Sequence, residues 1–274
     1  MTIEPFCAAD IAPFMNLALA EGWMAEPWEF EFLLAEFPQG CFASRGENGE
    51  TAGFVTSLRH ERSGWIGNLI VTPAQRGNGI GAALFRKVLE TLLDSGVETV
   101  WLTASKAGMP LYQKYGFTRV DTIIRWSGSG RQRSSADEAK GAADNGASFS
   151  DDVDSRGWGD RRAALLRVTS ARGVLLQQES AFVVVQPCGD ARQLGPFSVP
   201  SYSTADALLK AALNVIPFGT RVCLDTPASN RTALLLFYRN RMRISGSNEL
   251  MYAGVKPAYR PEYIYGLATM GSCG

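Results

Sequence analysis

The apolar residues of the first half recur at two periods that alternate along the chain. Ile11, Phe14, Met15, Leu17 and Ala18 fall at helical spacing, which predicts a helix over residues 11–20. Phe30, Leu33, Leu34 and Phe37 predict a second over 28–37, and Pro27 suits its first turn. Runs at 2–6, 40–44, 51–58 and 65–71 read as strands, with the turn Gly46-Glu47-Asn48-Gly49 between the second and third. Over 80–93, Ile80, Leu84, Phe85, Val88, Leu89, Leu92 and Leu93 form a wide stripe that demands heavy burial of one helix. Residues 99–103 read as a buried strand, 110–115 as a short helix stopped by Gly116, and 117–126 as a last strand or hairpin.

The second half repeats this order more weakly. Residues 161–168, 204–214 and 231–240 read as helices, with Asn230 placed to cap the third. Strands are expected at 181–185, 193–199, 221–225, 243–253 and 263–268. The shared order points to an α/β tandem, each half an α+β mixed sheet, although no sequence repeat is visible. Between the halves, residues 127–157 carry only Phe149 and Val153 as large apolar side chains before the final Gly157. Such a stretch buries too little surface to offset the entropy of ordering, so it reads as a flexible linker. The expected division is therefore 1–126, a linker at 127–157, and a smaller domain at 158–274.

Composition narrows the function classes. Hydrophobic residues make up 46% of the 274, which supports packed cores. Lys+Arg and Asp+Glu both count 27, so no general pull toward nucleic acid or an anionic membrane is expected, and an anionic ligand needs a local site. Five scattered cysteines and one histidine, His60, argue against a metal centre. Reduced thiols, no apolar run of membrane-spanning length and no signal-like start together imply a cytoplasmic protein.

The sharpest local signal follows the strand at 65–71: Val71-Thr72-Pro73-Ala74-Gln75-Arg76-Gly77-Asn78-Gly79-Ile80-Gly81. Glycines at a strand-to-helix junction let backbone N–H groups approach an anion, with the positive end of the helix dipole behind them. No Lys-Ser or Lys-Thr follows, so this is not a Walker loop; Gly77, Gly79 and Gly81 are one residue short of the dinucleotide fingerprint. A glycine-rich turn without a ligand stays open on the glycines alone.

Arg76-x-x-Gly79-x-Gly81 resembles the coenzyme A signature of the GNAT acyltransferases, and Leu111-Tyr112-Gln113-Lys114-Tyr115-Gly116-Phe117 resembles a second element of that family at typical spacing. The resemblance covers roughly residues 1–126. Gly64-Trp65-Ile66-Gly67-Asn68-Leu69 and residues 102–112 are similar to a bacterial subgroup with an added C-terminal domain, the YitH-like type; residues 157–166, 194–196, 225–230 and 241–242 resemble that domain.

The resemblance implies a GNAT fold and an N-acetyltransferase that uses acetyl-CoA as cosubstrate, without a metal. By it, Leu69, Ile70 and Val71 bond the pantetheine arm where their strand splays from its parallel neighbour at 99–103. Gln75, Arg76, Gly77, Asn78, Gly79, Ile80 and Gly81 hold the pyrophosphate. Tyr112 takes the place of the proton donor to the leaving thiolate, a phenol being protonated at neutral pH; packing against the cofactor is its other reading. The general base is not apparent, because Trp65 and Gly67 occupy the places where some members carry a carboxylate. His60 and Glu61 are candidates; a water chain, ordered by Asn68, is another. Trp23, Trp28, Phe30 and Phe32 either line the acceptor side or are plain core.

The second half is expected to be a degenerate GNAT-like domain. Its region 196–203 offers Pro196 and Pro200 where a cradle needs N–H donors. It would close over the acceptor cleft or mediate a homodimer. The acceptor is a small-molecule or peptide amine. The rival functions are a non-catalytic acetyl-CoA-sensing module and a transferase of a longer acyl group.

Overall fold

The computed structural model describes residues 1–132 and 151–274. In the first half the strands are β1 Thr2–Pro5, β2 Phe42–Arg45, β3 Thr51–Arg59, β4 Ser63–Val71, β5 Thr99–Ala104 and β6 Thr118–Ser129. The helices are α1 Ile11–Ala20, α2 Pro27–Glu36, α3 Ile80–Asp94 and α4 Met109–Lys114. The second half contributes α5 Asp152–Trp158, α6 Ala163–Arg172, β7 Val174–Gln178, β8 Ala181–Cys188, β9 Ala191–Ser198, α7 Tyr202–Asn214, β10 Arg221–Pro227, α8 Arg231–Arg239, β11 Arg243–Gly254 and β12 Ile264–Gly266. Asn230 caps α8 as its sequence position predicts, accepting from Ala233 N–H at 3.0 Å.

Both halves build one mixed sheet in the order β1-β2-β3-β4-β5-β11-β6-β10-β9-β8-β7, with β12 beside β9. Two strands change sides. β11 lies between β5 and β6, antiparallel to both, and β6 pairs with β10 of the second half. The sheet of each half is thus finished by a long strand from the other. Parallel pairs occur once in each half, β4 with β5 and β9 with β10. The exchange leaves no open edge at the centre, where an unpaired strand would expose its hydrogen-bonding groups.

The expected linker differs at both ends. Residues 127–129 continue β6, paired with β10 and β11. Residues 152–157 belong to α5, whose Val153, Asp154, Gly157 and Trp158 are buried. Val153 and Trp158 make this short helix worth ordering, against the polar stretch around it. Residues 133–150 lie outside the described residues.

The sheet has packed layers on both faces. α3 covers one face of the first half with Leu84, Phe85, Val88 and Leu92 against Val55, Ile66, Val100 and Leu102. α1 and α2 cover the other, where Phe14, Phe30 and Leu33 meet Phe54, Leu58 and Ile70. Leu165, Ala268 and Cys273 of the second half enter that same core. α7 and α8 pack on the second half through Leu208, Leu209, Leu236 and Phe237. A cluster of Trp65, Trp101, Trp158 and Tyr259 joins the halves, with Trp101 and Trp158 edge to face at 5.7 Å.

Candidate active site

β4 is irregular where the site begins. Its register against β3 passes from Thr56–Gly67 to Phe54–Ile70, which inserts one extra residue in β4. Asn68 sits in that bulge with φ 57°, and its amide donates to Thr56 Oγ1 at 3.0 Å. β4 pairs in parallel with β5 only from Ser63–Thr99 to Ile66–Leu102. Beyond Ile66 the two strands part. Leu69, Ile70 and Val71 therefore lie along the β4 side of a gap that β5 does not fill.

Past Val71, residues 73–75 make a short turn, and Gly77 and Gly79 take φ values of 84° and 79°, a region that only glycine enters readily. A Cβ at either would meet nothing within 4 Å, so the glycines are required by torsion and not by crowding. No side chain caps the N-terminus of α3, so its first amide groups have no protein partner of that kind and point at the loop. Such an arrangement is chemically suited to an anion. Arg76, expected to contact the anion, donates from Nε to Val71 O at 3.1 Å and from Nη2 to Glu21 Oε1 at 2.5 Å. It ties the loop to the end of α1.

α4 brings Tyr112 to the mouth of the gap. Its ring packs on Phe85 of α3 at 4.9 Å and on Phe117 at 6.3 Å. Tyr115 secures the helix by donating to Ala82 O at 3.3 Å. Burial pushes the Tyr112 phenol up to about 12, so it stays protonated across the neutral range.

Tyr112 opens on a cavity of about 200 Å³ built from both halves. The first half supplies Trp23, Glu29, Asn68, Thr103 and Arg125; the second supplies Asn248 from β11 and Met270, Gly271 and Ser272 from the segment after β12. Arg125 is anchored by Asp225 through Nε at 2.8 Å and Nη2 at 2.7 Å, and also donates to Met270 O at 3.1 Å. Glu29 is 5% exposed, in the first turn of α2. It accepts a hydrogen bond from Ser272 Oγ. Burial raises its carboxyl to about 7, with the Ser272 bond pulling in the opposite direction.

His60 and Glu61 do not join this group. They occupy the turn between β3 and β4 and line a separate depression with Arg59, Asp151 and Arg161. Burial, helped by Arg162, lowers His60 to about 3, and its Nε2 has no hydrogen-bond partner. A group so hard to protonate, facing another cavity, is badly placed as the base of this one. The carboxylate that does line the cavity is Glu29, which sits in the run Trp28-Glu29-Phe30-Glu31-Phe32. The aromatic residues of that run separate accordingly. Phe30 and Phe32 are core, Trp28 lies under the Arg172 guanidinium at 4.1 Å, and Trp23 lines the cavity.

In the second half, 196–198 lie in β9 and 202 begins α7, with Ser201 at its N-cap. No glycine of positive φ stands between Val199 and Tyr202 to form a cradle like that before α3.

A family model described as "Acetyltransferase (GNAT) family" matches residues 10–117, and one described as "Acetyltransferase (GNAT) domain" matches residues 151–266. Mycothiol acetyltransferase of Paenarthrobacter aurescens is 34% identical over 121 residues, 41% of this chain and 35% of that protein. The ribosomal protein bS18-alanine N-acetyltransferase of Haemophilus influenzae is 32% identical over 77 residues, 27% of this chain and 53% of that protein. The chain thus spans about half or less of the length of these two relatives. The fold as a whole is similar to that of a Pyrococcus horikoshii protein assigned as an acetyltransferase, with a TM-score of 0.85 at 23% identity over 100% of this chain and 95% of that one. The matches in both halves, on a mixed sheet that carries a glycine-rich loop at the head of α3, place the chain in the GNAT acetyltransferase family.

Proposed function

We propose that this chain moves the acetyl group of acetyl-CoA to a primary amine by direct attack in a ternary complex. The observation that carries this reading is that a carboxyl group poised near 7 and a protonated phenol, Glu29 and Tyr112, line one cavity at the point where β4 and β5 part. A base works best when its pKa lies near the working pH, and an acid when it still holds its proton there.

The parts fit the cosubstrate. The uncapped head of α3 and the left-handed Gly77 and Gly79 suit a pyrophosphate, with Gln75, Arg76, Asn78, Ile80 and Gly81 around it. Leu69, Ile70 and Val71 follow the point where β5 pairing ends, and the edge of β4 turned away from β3 suits a pantetheine arm. Acetyl-CoA supplies an acetyl thioester at this point. Glu29 accepts the proton that the amine loses as its nitrogen bonds to the acetyl carbon. Tyr112 donates a hydrogen bond or a proton to sulfur as the carbon–sulfur bond breaks. Asn68, held by Thr56, is placed to orient the amine or a water beside Glu29.

A buried carboxylate in the cavity, Glu29, favours an enzyme over a non-catalytic sensing module. The small cavity favours acetyl over longer acyl groups. A thiol-release assay tests both points. Turnover is expected with acetyl-CoA and an amine panel, and less with succinyl-CoA. Tight acetyl-CoA binding with no turnover on a broad panel would contradict the enzyme reading.

A further inference from the structure

The segment after β12 crosses the mouth of the β4–β5 gap. Gly271 O accepts from Trp65 Nε1 of β4 at 3.2 Å and from Thr103 Oγ1 of β5 at 3.4 Å. Ser272 O rests on the Cα of Gly67, where any Cβ would collide with it. The segment is pinned on either side of these contacts, by Arg125 to Met270 O and by Ser272 Oγ to Glu29. Cys273 N–H donates to Thr269 Oγ1 at 2.9 Å, and the Cys273 side chain is fully buried in the core of α1 and α2. These residues form a strap built into the fold.

The strap takes what an extended peptide would use. A polypeptide docking beside β4 and β5 needs polar groups there to bond, and room for about 3.4 Å of chain per residue. Gly271 already satisfies the Trp65 indole and the Thr103 hydroxyl, and Ser272 lies flat on Gly67. What is left is about 200 Å³, below the roughly 300–1,000 Å³ typical of pockets for drug-sized ligands. The polar side chains that line it include Asn68, Ser105, Arg125 and Asn248 as well as Glu29.

We propose that the acceptor is a small polar primary amine held whole in this cavity, and that residues 270–272 exclude a polypeptide N-terminus. This rests on the acetyl-transfer reading above. The two relatives are named for mycothiol and for the alanine of a ribosomal protein, so the family alone does not decide between acceptor classes.

The test compares acceptors that share a head group. Thiol release from acetyl-CoA is measured with a panel of small polar amines that includes serinamide, and with a decapeptide whose free N-terminal residue is serine. At least one small amine is expected to exceed the peptide in kcat/KM by about tenfold or more. Equal or better use of the peptide overturns the inference and leaves the acetyl-transfer reading standing. No thiol release with any amine overturns that reading and the inference with it. In Gly67→Ala the added methyl forces the strap off β4, and the peptide-to-serinamide ratio is expected to rise by about tenfold. An unchanged ratio in the folded variant overturns the strap as the excluding element. Thr103→Val, which removes one of the bonds to Gly271 O in the full-length chain, serves the same purpose if Gly67→Ala does not fold.

Discussion

The hydroxyl of Ser272 donates to the carboxylate of Glu29, across 243 positions of sequence and between the two halves of the molecule. The pair lies inside a cavity that neither half encloses alone. The second half thus supplies part of the cavity wall and sets the environment of the candidate base. Burial lifts that carboxyl to about 7, and the Ser272 bond restrains the rise.

Ser272→Ala is therefore expected to raise the apparent pKa of the acid limb of the pH–rate profile. Ser272→Thr, which keeps the hydroxyl, is expected to restore it. A profile identical to wild type in the alanine variant would show that the bond does not tune Glu29.

Glu29 also links pH to stability. Its carboxyl is raised from 4.5 to about 7 on folding, so the folded state favours the protonated form. The associated stabilisation is full below 4.5 and is lost as pH rises through 7. Above 7 the buried charge costs on the order of 3 kcal/mol. Glu29→Gln removes that charge while keeping an acceptor for Ser272. Its melting temperature is expected to exceed wild type one unit above pH 7, and the difference to vanish below pH 4.5. A variant that is less stable at the higher pH would contradict this.

Tyr112→Phe keeps the packing on Phe85 and removes the proposed proton donor. A positioned acid contributes roughly 10²–10⁴-fold, so kcat should fall in that range while the acetyl-CoA dissociation constant changes little. Loss of binding with kcat preserved would make Tyr112 a packing residue.

Gly79→Val places a branched side chain at φ 79°, which costs on the order of 1–3 kcal/mol locally and distorts the head of α3. Calorimetry should show acetyl-CoA binding lost while circular dichroism shows the fold retained. Gly81→Ala is expected to be milder, because a Cβ there meets Val71 at an ordinary 3.5 Å. Undiminished affinity in Gly79→Val would refute the cradle.

The local elements were legible because their signals are local. The stripe from Ile80 to Leu92 gives α3, the spacing of Ile11, Phe14 and Ala18 gives α1 at residues 11–20, and Asn230 marks the start of α8. α5 and β7 were not legible. α5 follows a polar stretch and is ordered by burial of Val153 and Trp158, and β7 shows no clear alternation. The insertion of β11 between β5 and β6 could not be read either, since strand pairing depends on partners more than a hundred residues away. The glycine loop and Tyr112 stood out through motif spacing. Glu29 did not: it is one of two glutamates between aromatic residues, and only the fold shows that Glu29 is buried against Ser272 while Glu31 is exposed. A carboxylate flanked on both sides by large apolar residues was the one available signal.

The central claim is that Glu29 is the base for amine attack. Its most direct test is the pH dependence of kcat/KM for acetyl transfer in wild type and Glu29→Gln. Wild-type activity is expected to rise with pH through an apparent pKa near 7. Glu29→Gln is expected to lose this limb together with most of its turnover, while acetyl-CoA affinity is retained. A Glu29→Gln enzyme with wild-type rates and the same limb would contradict it.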